Sequence, residues 1–195
     1  MSISGAVSRG RRDPGIVAGV VLAGLMWLLT LLAVVPAVDA WVVRASRTVP
    51  YLPSHAIGYF GTLTYADLWV VISLVLKTGV LFSVTSALVR VAVRGVPRSG
   101  GAAVFLSAWM AALVGCVAGA VAGALLWSVD PSITGAAHPA AFVDAATYGL
   151  SAGALWGWIP ALAARAVWRD GVGSGPGAGG TRVPPFRISG KGRIG

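Results

Sequence analysis

The stretch ISLVLKTGVLF, Ile72–Phe82, decides the fold. It lies inside an apolar run, about Asp67 to Val93, that is long enough to cross a bilayer, yet it carries a lysine, Lys77, near its middle. A hydrocarbon core about 30 Å thick needs roughly 20 apolar residues at about 1.5 Å each. Three further runs meet that length: about Ile16 to Val38, Ala102 to Val129 and Ala141 to Trp168. The expectation is an all-α integral membrane protein, with four transmembrane helices in two antiparallel hairpins filling residues 16–170.

Composition agrees. Hydrophobic residues make up 56% of the 195, charged residues 11%, and the mean hydropathy is +0.81, well outside the soluble globular range. There is no Glu, Asn or Gln, which leaves six Asp, two His and fifteen Lys or Arg. So sparse an inventory makes a catalytic constellation hard to assemble, and a non-enzymatic protein without a cofactor is expected. Cys116 is the single cysteine, which rules out an internal disulfide and a cysteine-based metal centre within one chain; in its Ala, Gly and Val surroundings it is expected to pack as a small apolar residue.

Residues 1–15 form a basic segment with Arg9, Arg11 and Arg12, and residues 39–66 a longer loop whose prolines and aromatics suggest a cap on the membrane surface. Residues 171–195 have the Gly and Pro content of a disordered tail. Positive charge then orients the chain, because Lys and Arg flanking membrane spans are retained in the cytoplasm. Arg9, Arg11, Arg12, Arg90, Arg94, Arg98, Arg165, Arg169, Arg182, Arg187, Lys191 and Arg193 fall on one side of a four-span arrangement, and only Arg44 and Arg47 on the other. Both termini are therefore expected in the cytoplasm, in a multi-pass protein of a bacterial inner membrane. Trp109 and Trp168 on the inner side, and Trp41, Trp69 and Trp127 on the outer, suit the aromatic belts of a bilayer. Val38, Asp39 and Ala40 resemble a signal-cleavage site, but the preceding 23 or so apolar residues exceed an ordinary signal core of about 7 to 15, so the run reads as a span.

Glycine or alanine recurs at every fourth position in three spans: Gly15, Gly19, Ala23; Ala111, Gly115, Gly119, Gly123; and Gly149, Gly153, Gly157. Such glycine-zipper seams let helix backbones approach closely in lipid, where van der Waals packing drives association. They can pack helices within one chain, or they can join a homo-oligomer or other membrane subunits. Pro160, in the run WGWIP, removes a backbone donor and is expected to kink the fourth span.

Lys77 carries the strongest functional signal. An ionised amine near mid-bilayer costs at least about 2.5 kcal/mol on insertion scales, so it needs a partner, water or a route to the surface. Snorkelling toward its helix N-terminus would lift the amine by about 6 Å, to the depth of a polar face on the fourth span made by Asp144, Tyr148 and Ser151. Lys77, Ser151, Tyr148 and Asp144 form a candidate intramembrane polar path. His55 and His138 lack any metal-ligand spacing, and no metal is expected. The pI near 11.1 reflects membrane-flanking charge rather than nucleic-acid binding, and Arg182, Arg187, Lys191 and Arg193 are expected to touch anionic lipid. Together these features point to an accessory or assembly component of a membrane complex; a small oligomeric transporter or channel lined by Lys77, or a holin-like pore former, are the alternatives.

Overall fold

The computed structural model describes residues 13–33, 35, 44, 68–97, 100–129 and 139–173. All regular structure among them is helical: α1 Pro14–Ala33, α2 Leu68–Arg94, α3 Gly101–Val129, α4 Pro139–Trp156 and α5 Trp158–Gly173. Within α1, α2 and α3, stretches of 19, 25 and 26 residues are long and apolar enough to cross a membrane.

Local chemistry sets the ends. Asp13 caps α1, its Oδ1 accepting from the amides of Gly15 at 2.7 Å and Ile16 at 3.4 Å, and Pro14 opens the first turn where no amide is needed. The helix stops at Ala33, short of the expected Val38, and Val35 sits in a bend. Val35 precedes Pro36, and a residue before proline is pushed out of the helical region. Arg94 closes α2 with a cation against the negative end of its dipole. Gly95 and Pro97 then turn the chain, and the Gly100 amide donates to the Pro97 carbonyl at 2.7 Å.

The fourth expected span, 141–168, is two helices instead of one. They divide at Gly157, and neither half alone is long and apolar enough to cross a membrane. Pro160 has no amide to give the carbonyl four residues back, at Trp156, and its ring crowds that turn, so one ladder bond is lost there while those on either side of Gly157, from its amide to the Gly153 carbonyl at 2.9 Å and from the Ala161 amide to the Gly157 carbonyl at 3.3 Å, remain.

The bundle is built around α3, which packs along α2, α4 and α5, while α1 packs along α2 and α5. Neighbouring helices run antiparallel: Gly15 faces Ser86 and Arg90 while Trp27 meets Thr78, and Gly115 faces Leu81 and Thr85 while Gly123 faces Lys77. At the end marked by Asp13 and Gly101, α1, α2, α3 and α5 close on a core of small residues: Ala18, Val89, Ala108, Ala111, Ala161 and Ala164. At the other end the core is larger, with Leu22, Met26, Leu29, Leu74 and Leu81 around Cys116, which packs at full burial. The outward surface is apolar too: Val75 and Val91 are 66% and 67% exposed, a surface suited to lipid tails rather than water.

Asp13 also ties α1 to α2, its Oδ2 accepting from Arg90 Nε at 2.6 Å. Partial burial works to raise its pKa, but the Arg90 hydrogen bond, the amides of Gly15 and Ile16 and the guanidinium charge outweigh it and hold the carboxyl below its ordinary 3.8. A depressed carboxyl stabilises the fold above its unfolded value, and that contribution fades as the pH falls below about 3.8 toward the folded value. Asp13→Ala should accordingly lower stability by about 1 kcal/mol at pH 7, mostly through the lost cap, and the difference from wild type should shrink in acid. Thermal midpoints in detergent at pH 7 and pH 3 measure both. An unchanged difference would mean that the ionised carboxylate contributes nothing.

Candidate functional site

Lys77 lies on the face of α2 that meets α3, and its aliphatic stem crosses Gly123 so closely that Cε occupies the place a Cβ there would take. Only glycine leaves that channel open. The rest of this α2 face is apolar or hydroxylic: Leu74 and Leu81 are buried, as are Ser73 and Thr85. Next to Lys77, Thr78 Oγ1 accepts from the Trp27 indole at 3.1 Å and donates to the Leu74 carbonyl at 2.7 Å, joining α1 to α2 at this depth. Thr30, fully buried, returns its hydroxyl to the Met26 carbonyl at 2.8 Å, and Thr85 reaches the Ala111 carbonyl of α3 at 3.5 Å. These threonines satisfy themselves on backbone. The amine of Lys77 makes no hydrogen bond or ion pair with any described residue.

The expected polar path is not assembled among these helices. α2 and α4 share no packed interface, since both lie against α3. Ser151 donates to its own helix at the Thr147 carbonyl, 2.8 Å away, Tyr148 is half-buried and Asp144 is exposed.

The glycine seams all face neighbours within the chain. Gly15 and Gly19 lie against Ser86, Phe82 and Arg90 of α2, and Ala23 packs at the edge of the larger core. Gly115 faces Thr85 and Leu81, and Gly119 is buried. A Cβ at Gly149 would stand 2.6 Å from the Cys116 carbonyl oxygen and from Val117 Cα, and one at Gly153 would stand 2.7 Å from Leu113 Cα. At Gly157 it would meet Trp109 Cδ1 at 2.9 Å.

Two residues expected in an interfacial belt are part of this packing instead. The Trp109 indole donates to the Gly153 carbonyl at 3.3 Å, using the lone pair left free by the Gly157 amide at 2.9 Å, and Trp168 is only 8% exposed, beside Gly101. Small residues opposite leave room for the rings, so burial wins over the headgroup region. Pro160 is buried just past the break. Arg182, Arg187, Lys191, Arg193, His55 and His138 lie outside the described residues, as do the loop cap and the tail. Among the described residues no group of three His, Cys, Asp or Glu could hold a metal ion.

The Asp13–Arg90 tie and the Trp27–Thr78 bond are not among the sequence expectations. Asp-Pro-Gly ahead of an apolar run is a legible helix start, whereas the indole bond needs the register between helices.

Apolar helices long enough to span, with lipid-suited outer faces and glycine-mediated contacts, define a helical membrane protein. No protein-family model, curated protein or solved structure matches the chain, so its role rests on this geometry.

Proposed function

We propose that the chain is a non-enzymatic four-span protein of a bacterial inner membrane, with both termini in the cytoplasm, that serves as an accessory or assembly component of a membrane complex. In this reading α4 and α5 form the fourth crossing together, broken at Gly157, and the end bearing Asp13 and Arg90 faces the cytoplasm. The observation that carries it is Lys77: a cation on a helix-packing face, inside an apolar bundle, with no counter-charge among the described residues. Such a group is retained when something outside the chain neutralises it. The interior threonines Thr30, Thr78 and Thr85 are already committed to backbone carbonyls, which suits packing and docking better than bond-making, while the buried Ser73 and Ser86 hydroxyls have no described partner.

A small oligomeric transporter or channel is the second reading, favoured by the Thr78 and Ser73 hydroxyls flanking Lys77 on α2. One preparation separates the two. Extracted gently from its native membrane, an accessory component should bring a stoichiometric set of other membrane subunits with it; recovery of the chain alone, with solute flux in liposomes that vanishes on Lys77→Met, would replace that reading by the transporter.

A further inference from the structure

Lys77 and Asp144 stand at the same depth in the bundle without touching. Contacts across α3 and α4 keep a constant register: Gly149 lies on Cys116 and Val117, Gly153 on Leu113, and Gly157 on Trp109. Continuing that register six residues toward the start of α4 sets residue 143 beside Gly123, the residue that Lys77 crosses. Asp144 is therefore level with the lysine stem, on the opposite flank of α3. It is exposed, and like Lys77 it forms no ion pair with any described residue.

We propose that this flank is an interface between two copies of the chain, in which the Lys77 ammonium of each copy meets the Asp144 carboxylate of the other. The inference deepens the assembly reading above and rests on its four-span arrangement, which puts both groups inside the membrane. Three observations lead there. Opposite charges at one depth are each costly in hydrocarbon and are neutralised by pairing. Within one chain α3 stands between them, because α2 and α4 pack on it and not on each other. And Leu125, the lipid-facing residue of α3 near this level, is 52% exposed, and it continues a stripe formed by Val114 and Met110, 47% and 59% exposed and about 14 and 20 Å from this level along the helix, that no described element of the chain covers.

A two-fold axis along the membrane normal, beside that stripe of α3, lays α2 of one copy against α4 of the other. It does so twice. Lys77 meets the partner's Asp144, and Asp144 the partner's Lys77, as a self-complementary interface requires. The four charges cancel in two pairs, and the apolar α3 stripes bury each other between them.

The test uses two full-length versions with different tags, expressed together, extracted into native-lipid discs and captured on one tag. Wild type should carry the second tag through, while Lys77→Met and Asp144→Asn should each cut its recovery by about tenfold or more. Lys77→Asp and Asp144→Lys should likewise fail singly, and the two combined in one chain should recover assembly, because every crossing pair is reversed rather than removed. Unchanged recovery in the neutral variants, or failure of the combined swap to recover while its helix content matches wild type, overturns the proposal. Protease access to the tags on intact inner-membrane vesicles is read in the same cells. Termini on opposite sides would refute the four-span arrangement and the dimer with it, whereas cytoplasmic termini without self-capture would refute the dimer alone. A self-captured pair with no other subunit would leave the dimer standing and refute the accessory role.

Discussion

Replacing Gly149 by alanine is expected to pull α4 away from α3. A Cβ at that position would stand 2.6 Å from the Cys116 carbonyl oxygen, 2.6 Å from Val117 Cα and 2.7 Å from the Val117 amide nitrogen. All three are backbone atoms of a helix, so no rotamer change relieves the overlap, and the two helices must separate until the methyl group fits. In lipid little opposes that movement. No hydrophobic force draws the helices back, and the van der Waals attraction that held them falls away steeply once a gap opens. A destabilisation of about 3 kcal/mol is expected, at the upper end of overpacking by a single methyl group.

Gly79 on α2 and Gly24 on α1 supply the controls, because a Cβ at either would meet nothing within 4 Å. Alanine there should be neutral or gain up to about 1 kcal/mol from helix propensity. Unfolding midpoints of the three variants in one detergent measure the contrast. If Gly149→Ala behaves like Gly79→Ala, the close approach of α3 and α4 is wrong.

The same contrast marks what was legible beforehand. A glycine at every fourth position can be read directly, and the limits of α2 and α3 fall within a residue of those the apolar runs suggest. Which neighbour each seam meets is not written in the periodicity. Gly24 and Gly79 look no different in sequence from Gly19 and Gly123, yet they face open space. The candidate path of Lys77, Ser151, Tyr148 and Asp144 is unassembled for the same reason. Depth along a helix follows from counting residues, whereas adjacency across the bundle is a property of packing, and here α2 and α4 each pack on α3 without a packed interface of their own. Local breaks were partly legible: Pro160 announced a kink, and the helix divides three residues nearer the N-terminus, at Gly157, whose amide still bonds to the Gly153 carbonyl.

Lys77→Met is expected to stabilise the separated chain by about 2 kcal/mol, the reverse of what loss of a buried ion pair would do. The stem stays and the charge goes. The Lys77 side-chain carbons lie over Gly123, and methionine has nearly the same length and flexibility, so the packing against α3 survives the change. What disappears is an ammonium with no acidic partner among the described residues, whose burial opposes folding. Were the amine satisfied by a carboxylate of its own chain, removing it would leave that group unpaired and cost about 3 to 5 kcal/mol instead. The sign therefore separates a charge held for a partner from one held for the fold. Lys77→Ala distinguishes stem from charge, since it removes both and opens a void above Gly123, so it should fall well below Lys77→Met. Reversible unfolding of the monomer in dilute detergent is the measurement. A stabilised Met variant that also fails to self-assemble would mean that the charge serves association while destabilising the monomer. If the Met variant is instead destabilised, the ammonium has a partner inside the chain, and the cross-copy pairing with Asp144 falls.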